Sequence, residues 1–376
     1  MAAWATTVSP EEAMGRAINL AGRGWGRVAP NPMVGAVIVR DGIIVGEGWH
    51  REYGHAHAEV EAIRAAGPLA EGATIYVTLE PCSHHGKTGP CTEAVLAAGI
   101  KRVVFACADP NPRAEGGGAF LAQRGIEVSS GLEEPAARQL NPVFFRNFDP
   151  ERANLPWVEL KLALSLDGHS TDAAGRSKWI TGENARAEVH RLRAGFDAIA
   201  VGIGTVLADD PELTVRGEGS VIPRIPPVRV VFDRALRLPL DSRLVTSAGE
   251  LPVWVVAAPG ADAARRDQLE GKGVRILEAT DLTAGLSALR AAGILSVFCE
   301  GGARLASSLL ATDLVDRLSL FFAPLFLGPG GSDPFAGIPD SPVSNAQRWS
   351  LIRSVPFGAD TLINLERRPG LAAEAS

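Results

Sequence analysis

The chain has 376 residues, 46% hydrophobic and 21% charged, with 41 glycines and 26 prolines spread along it, a balance that fits a soluble α/β protein of two domains and excludes disordered or fibrous chains. A formal charge of −6, from 37 basic and 43 acidic residues with no basic block, argues against a nucleic-acid partner and leaves room for a small phosphorylated ligand held by a few cations in a cleft. No apolar run reaches bilayer length and the first residues lack a secretory pattern, so no membrane partner and a cytoplasmic setting are expected, where four cysteines serve metal binding or catalysis rather than disulfides.

Residues 11–24 carry helical periodicity, and 34–49 read as two β-rich runs turned at Asp41-Gly42. A helix is expected at 57–67, a strand at 73–79, a helix at 91–99 and a strand at 102–107. A helix around 119–125 and a short strand at 126–130 complete a three-layer α/β domain by about residue 131. Residues 132–156 carry proline and charge without a β period and read as a helix and a connector, which makes 1–150 the first domain, its connector starting at about 132.

The alternation restarts in the second domain, 151–376. Strands are expected at 158–164, 197–202, 228–233, 252–258, 274–277 and 295–300, helices at 183–195, 263–273, 282–293 and 303–312, and two closing strands at 318–326 and 363–367. Such a sheet is mostly parallel and places ligands at the carboxyl ends of its strands. A disordered tail is expected from about 369.

The stretch LEPCSHHGKTGPC, residues 79–91, concentrates two cysteines and two histidines. Cys82 follows a predicted strand, Cys91 begins a predicted helix and His57 opens another, so all three fall at element ends on one side of a sheet. Helix amino termini favour thiolate over thiol. One imidazole and two thiolates on a tetrahedral zinc leave a position for water, the arrangement of a catalytic site. Glu59, just past His57, is placed to carry a proton from that water to a leaving amine. His57-Ala58-Glu59 followed by Pro81-Cys82 matches the signature of zinc nucleobase deaminases, although the loop before Cys91 is longer than the signature's. His84 and His85 stand as alternative ligands or solvated loop residues. A closed structural zinc site, the rival reading, would need one of them. Cys107 reads as core packing.

In the second domain, Lys161 lies inside an apolar strand, either as a snorkelling edge residue or as a cation facing a phosphate or a reacting carbon. Ser177 and Trp179 precede a helix; Thr205 starts another, with Asp209 after it and Arg216 ending an extended run. FCEGGARLASSLL, residues 298–310, reads as strand, glycine turn and helix, able to seat a pyrophosphate on helix N–H groups. No G-x-G-x-x-G is present, which speaks against an ordinary Rossmann site.

In chain order, Asn31 within APNPMVGAVIV, then His57-Ala58-Glu59, EPCSHHGKTGPCT and ADPNP resemble the deaminase half of the bifunctional riboflavin-biosynthesis deaminase/reductase family, in which a long loop between the cysteines is the rule. KLALSLDG, GRSKWIT, GTVLADDPELTVR and EGG resemble its second half, and the likeness spans roughly residues 9–368. The resemblance implies a cytidine-deaminase-like three-layer α/β/α domain followed by a dihydrofolate-reductase-like α/β domain. It implies one zinc on His57, Cys82 and Cys91, Glu59 as the catalytic proton shuttle, and substrate contacts at Asn31, Lys87, Asp109 and Asn111. For the second domain it implies NADPH on Ala163, Trp179, Thr205, Asp209 and the run Gly302, Ala303, Arg304, Leu305, Ala306, Ser307 and Ser308, with Arg234 on the cofactor side where relatives often carry serine. Substrate contacts there would be Ser177, Arg193, Leu213, Arg216 and Glu300, the arginines meeting phosphate, and Lys161, read as a cation facing the substrate, is expected to join them.

The activity implied is zinc-hydrolytic deamination of a phosphorylated diaminopyrimidinone, then NADPH reduction of its ribosyl group to ribityl, in a homo-oligomer, dimer or tetramer. A nucleoside or tRNA deaminase fused to an inactive reductase-like domain is the rival within enzymes. Three positions depart from the family pattern: Gly89 stands where proline is usual, His55 gives an untypical lead-in, and Arg113-Ala114 follows DPNP without the usual valine.

Overall fold

Ser9 sets the first helix: its hydroxyl accepts the Glu12 N–H, and the Glu12 carboxylate accepts the Ser9 N–H at 2.7 Å, a reciprocal cap. The computed structural model describes residues 7–87, 89–217 and 221–367, and contacts divide the chain into two units, Met1–Ala153 and Asn154–Ser376. The first contains α1 (Pro10–Ala21), β1 (Gly35–Arg40), β2 (Ile43–Trp49), α2 (Ala58–Ala66), β3 (Thr74–Leu79), α3 (Cys91–Ala97), β4 (Arg102–Cys107), α4 (Gly117–Ala122), β5 (Glu127–Ser130), α5 (Glu134–Leu140) and α6 (Pro142–Arg146). Asp41 and Gly42, both with positive φ (51° and 77°), turn β1 into β2.

The sheet order is β2-β1-β3-β4-β5, with β1 antiparallel to both neighbours and β3, β4 and β5 parallel. Ala58, Ala62, Val95 and Leu121, from α2, α3 and α4, pack on one face of it. Met14, Ala17, Leu20 and Ala137, from α1 and α5, pack on the other, giving the three layers. α2 lies unusually close. A β-carbon on Gly46 would sit 2.4 Å from the Ala62 carbonyl oxygen, and one on Gly48 would sit 2.4 Å from that of Ala58, so only glycine permits this approach. The stretch expected to hold one helix and a connector holds two helices, α5 and α6. Asn141, between them, pairs with the backbone of Met33 through its Oδ1 (2.7 Å) and Nδ2 (2.8 Å), which anchors the loop carrying Asn31.

The second unit runs β6 (Trp157–Ser165), α7 (Glu183–Arg193), β7 (Ala198–Gly202), α8 (Ile203–Asp209), β8 (Val228–Phe232), α9 (Arg243–Thr246), β9 (Val253–Ala257), α10 (Ala263–Glu270), β10 (Arg275–Glu278), α11 (Leu282–Ala291), β11 (Ser296–Cys299), α12 (Ala303–Ala311), β12 (Arg317–Ala323), β13 (Trp349–Phe357) and β14 (Asp360–Arg367). Its nine strands are ordered β10-β9-β8-β7-β11-β6-β12-β14-β13. All pairs are parallel except those made by β14 with β12 and β13. Leu286, Leu289, Leu305 and Leu309 bring α11 and α12 onto one face. Val206, Leu244 and Leu269 bring α8, α9 and α10 onto the other.

Two expectations are corrected here. The closing strand predicted at 318–326 stops at Ala323, because Pro324 has no N–H for the ladder. Three strands, not two, close the sheet: β13 was not anticipated, its residues being exposed or half-exposed on both faces at the sheet edge. The tail expected from about 369 lies outside the described residues. Among those described, no helix is long and apolar enough to cross a membrane.

Candidate active sites

His57 is the N-cap of α2, Cys82 lies just beyond β3, and Cys91 opens α3. These element ends meet beyond the carboxyl end of β3, the central strand of the sheet. His57 Nδ1 is 3.2 Å from Cys91 Sγ and 3.6 Å from Cys82 Sγ, and all three candidate ligand atoms lie within 4.8 Å of one another. Ordinary Zn–S and Zn–N bonds in a tetrahedron give ligand separations of about 3.5–3.8 Å. Donor chemistry and spacing therefore both fit zinc. Hydrogen bonds from Cys91 and then His57 bring the Cys82 thiol down to about 4, while Cys91, as its donor, is raised. Among the described residues no fourth ligand joins this group. His84 lines the adjoining cavity, and His85 is exposed, 3.6 Å from Glu93. Glu59, 3% exposed, sits beside the ligands, and burial pushes its carboxyl up.

A cavity of about 440 Å³ opens over this group and brings Asn31, Lys87, Asp109 and Asn111 together with His57, Glu59 and Cys82. Among the further lining residues that the sequence reading did not single out are His50, Tyr53 and Glu80. Buried His50 has Nδ1 3.1 Å from the Ala56 carbonyl oxygen and Nε2 3.2 Å from Asn31 Nδ2. The carbonyl requires Nδ1–H, so Nε2 accepts from Asn31, leaving the Asn31 oxygen for a ligand. Glu80 accepts the N–H groups of Gly118 (2.8 Å) and Asp109 (3.3 Å), and Asp109 in turn accepts that of Asn111 at 2.9 Å. Burial first, then the Glu80 charge, raises the Asp109 carboxyl to about 6. Glu80 had a signal, since it directly precedes Pro81-Cys82; nothing local marks His50 or Tyr53. Of the three departures, Gly89 has open space around it, His55 lines the cavity, and the Ala114 N–H closes a turn on the Asn111 carbonyl at 2.8 Å.

In the second unit a cleft of about 940 Å³ crosses the carboxyl ends of the central strands. Lys161, Ser177, Arg193, Leu213 and Glu300 line it. So do Ala163, Trp179, Thr205, Asp209 and Arg234, together with Gly302, Ala303, Arg304, Leu305 and Ser308. Three predicted residues do not. Ala306 belongs to the core, buried Ser307 accepts the Gly337 N–H at 2.7 Å, and exposed Arg216 donates to Thr214 Oγ1 (3.0 Å) and pairs with Glu212. The helical turn sends residues 306 and 307 away from the cleft, so the run of cofactor contacts expected through Ser308 is interrupted there.

The edge reading of Lys161 is also corrected: β6 lies between β11 and β12, inside the sheet. Burial lowers its ammonium, opposed by the Glu300 carboxylate. Although burial would raise Glu300, Arg193 outweighs it and the carboxyl stays below its usual range. Arg193 also donates to the Thr214 carbonyl at 2.7 Å. One turn back on α7, His190 accepts the Arg216 N–H through Nδ1 at 3.3 Å, and burial, then Arg193 and Arg216, lower it to about 4. At the glycine turn, α12 has no side-chain cap, which leaves its first N–H groups for an anion. A β-carbon on Gly302 would lie 3.1 Å from Thr205 Oγ1, which already accepts the Gly302 N–H at 3.1 Å. The first N–H groups of α12, left without a side-chain cap behind the Gly301-Gly302 turn, fit the pyrophosphate of NADPH.

Residues 156–363 match the family model of the RibD C-terminal domain, and residues 8–107 match that of the cytidine and deoxycytidylate deaminase zinc-binding region. The riboflavin biosynthesis protein RibD of Bacillus amyloliquefaciens is 45% identical over 320 residues, covering 84% of each chain. That of Escherichia coli (strain K12) is 44% identical over 328 residues, covering 84% of this chain and 88% of the relative. Among solved structures, Acinetobacter baumannii RibD (form 1) is 39% identical with a TM-score of 0.81, covering 96% of this chain and 99% of its own. The Thermotoga maritima diaminohydroxyphosphoribosylaminopyrimidine deaminase/5-amino-6-(5-phosphoribosylamino)uracil reductase is 36% identical with a TM-score of 0.81, at the same coverages.

Proposed function

This chain belongs to the family of bifunctional riboflavin-biosynthesis deaminase/reductases, and on that premise we propose which of its residues perform each reaction. It is a zinc-dependent deaminase joined to an NADPH-dependent reductase, acting on a small molecule. The substrate of the first reaction is 2,5-diamino-6-(5-phosphoribosylamino)pyrimidin-4(3H)-one, a reading supported by the activities named for the Thermotoga maritima relative. The deaminase comprises residues 1–150 and the reductase 151–376, and the protein works as a cytoplasmic dimer or tetramer with no nucleic-acid partner.

In the deaminase, His57, Cys82 and Cys91 hold the zinc, which when bound activates water for attack on the ring carbon bearing the 2-amino group. Glu59 takes a proton from the attacking water onto its carboxylate and returns it to the departing nitrogen. Asn31, its amide fixed by His50, binds the pyrimidine, and Lys87, Asp109 and Asn111 contact the rest of the substrate.

In the reductase, NADPH supplies the hydride that converts the ribosyl carbon to ribityl. The glycine turn and the start of α12 bind its pyrophosphate; Ala163, Trp179, Thr205, Asp209 and Arg234 hold the remainder. Lys161, Ser177, Leu213 and the Arg193–Glu300 pair orient the sugar against the cofactor.

The observation that carries this reading is the meeting of His57, Cys82 and Cys91 beside Glu59 in one cavity, on a chain whose second cleft holds Lys161, Arg193 and Glu300. The test supplies the diaminopyrimidinone ribotide with and without NADPH and follows ammonia, NADPH absorbance and product mass. Ammonia should appear without NADPH, and NADPH oxidation should require the deaminated pyrimidine. Glu59→Gln should stop ammonia release while zinc stays bound; deamination that survives this change removes Glu59 from the mechanism.

A further inference from the structure

We propose that Tyr53 is a positioning residue that aims the Lys87 ammonium at an anionic group of the substrate, and so makes the deaminase prefer a phosphorylated pyrimidine to its unphosphorylated form. This rests on the reading above that Lys87 contacts the substrate.

Among the described residues, Lys87 is the only lysine or arginine lining the first cavity. Its Nζ lies 4.2 Å from the centroid of the Tyr53 ring, and among the described residues it forms no ion pair. The choice of partner matters. A carboxylate would hold the ammonium but cancel its charge and repel an incoming phosphate. An aromatic face attracts the cation through its quadrupole and leaves the net charge intact. The lysine is thus directed without being neutralised.

Tyr53 is itself held. Its N–H donates to the Arg27 carbonyl at 3.2 Å, and the neighbouring Glu52 pairs with Arg27 at 2.6 Å. Arg27 lies in the loop that carries Asn31, while Lys87 lies in the loop between Cys82 and Cys91. The stack therefore joins the loop between the metal ligands to the segment that carries the pyrimidine contact. Gly54, at φ 87°, brings the backbone close beneath the lysine stem: a β-carbon there would sit 3.7 Å from Lys87 Cδ.

The test measures ammonia release by the zinc-loaded full chain on the ribotide and on the corresponding riboside. Tyr53→Leu should raise KM for the ribotide by about three- to fivefold, the scale of one cation–π contact. Its kcat and its KM for the riboside should stay near the wild-type values. Tyr53→Phe, which keeps the ring, should restore the ribotide KM. In the Tyr53→Leu/Lys87→Met double variant the leucine should add nothing to the effect of Lys87→Met, because the two side chains act as one unit. Zinc content and melting temperature check folding; should Tyr53→Leu fail to fold, Tyr53→Met takes its place. An unchanged ribotide KM in Tyr53→Leu, equal losses on ribotide and riboside, or no rescue by phenylalanine would each overturn the proposal. If Lys87→Met leaves the preference for the ribotide intact, the assignment of Lys87 falls first. If only Tyr53→Leu is silent, Lys87 stands and Tyr53 does not.

Discussion

Arg193 and Glu300 meet through two parallel contacts, Nε to Oε1 at 2.5 Å and Nη2 to Oε2 at 3.1 Å, which tie the last turn of α7 to the end of β11. Both side chains are close to buried, at 11% and 12% exposure, so removing one leaves the other's charge uncompensated. Arg193→Met is expected to destabilise the second unit by about 3–5 kcal/mol and to slow reduction at least tenfold. Glu300→Gln keeps the shape and should cost less stability but a similar share of activity. Calorimetry and NADPH oxidation on the same preparations separate the two effects.

His190 gives the second unit a pH dependence whose sign follows from its environment. Arg193 on its own helix and Arg216 on the facing loop oppose its protonation, and Glu300 favours it only in part. The folded value is about 4 against an ordinary 6.5, so between these the unfolded chain binds more protons. Stability from this group is complete above the ordinary value and falls as pH is lowered through the window. His190→Asn keeps an acceptor for the Arg216 N–H but cannot titrate. The drop in melting temperature between pH 7 and about pH 5 should be smaller in this variant than in wild type; an equal drop would remove His190 as the source.

Metal removal should separate the two activities. A strong chelator is expected to end ammonia release while NADPH oxidation continues on supplied deaminated pyrimidine, and about one zinc per chain should restore the first reaction. Cys91→Ser should lose the metal, whereas His84→Ala and His85→Ala should retain it. Atomic absorption decides this, and loss of zinc in either histidine variant would reassign the ligand set.

Gly117→Ala tests how the metal loop is seated. A β-carbon there would lie 1.8 Å from the Pro81 carbonyl oxygen, directly before Cys82. Backbone cannot yield as a flexible side chain can, so a loss of about 1–3 kcal/mol is expected, with weaker zinc retention in a chelator competition. A neutral result would mean that the Pro81 segment shifts freely.

The metal group is legible in the sequence because each of its residues stands where one periodicity ends and another begins: His57 before α2, Cys82 after β3 and Cys91 opening α3. The same holds for Thr205 on α8 and the glycine turn before α12. His50 is not legible, because its role arises from the Ala56 carbonyl and the Asn31 amide meeting it in space. Arg216 departs from the cleft because the run before it is not simply extended. Leu213 takes a left-handed backbone at φ 53° and Glu212 holds the guanidinium, neither of which a strand-like pattern reveals. β13 was missed because strand periodicity is read from one buried face, and an edge strand exposed on both has none.

Because Gly46 and Gly48 seat α2 directly on the main chain of β2, the height of His57 and Glu59 above the sheet is gauged by backbone atoms rather than by side-chain packing. Metal–ligand distances tolerate about 0.2 Å, well below the thickness of one methyl group. Two absent side chains thus act as a fixed spacer. The exposed positions of α2, Arg64 and Ala65, are free to drift in sequence without altering that gauge, whereas a single carbon added at either glycine lifts an imidazole ligand and the carboxylate beside it together.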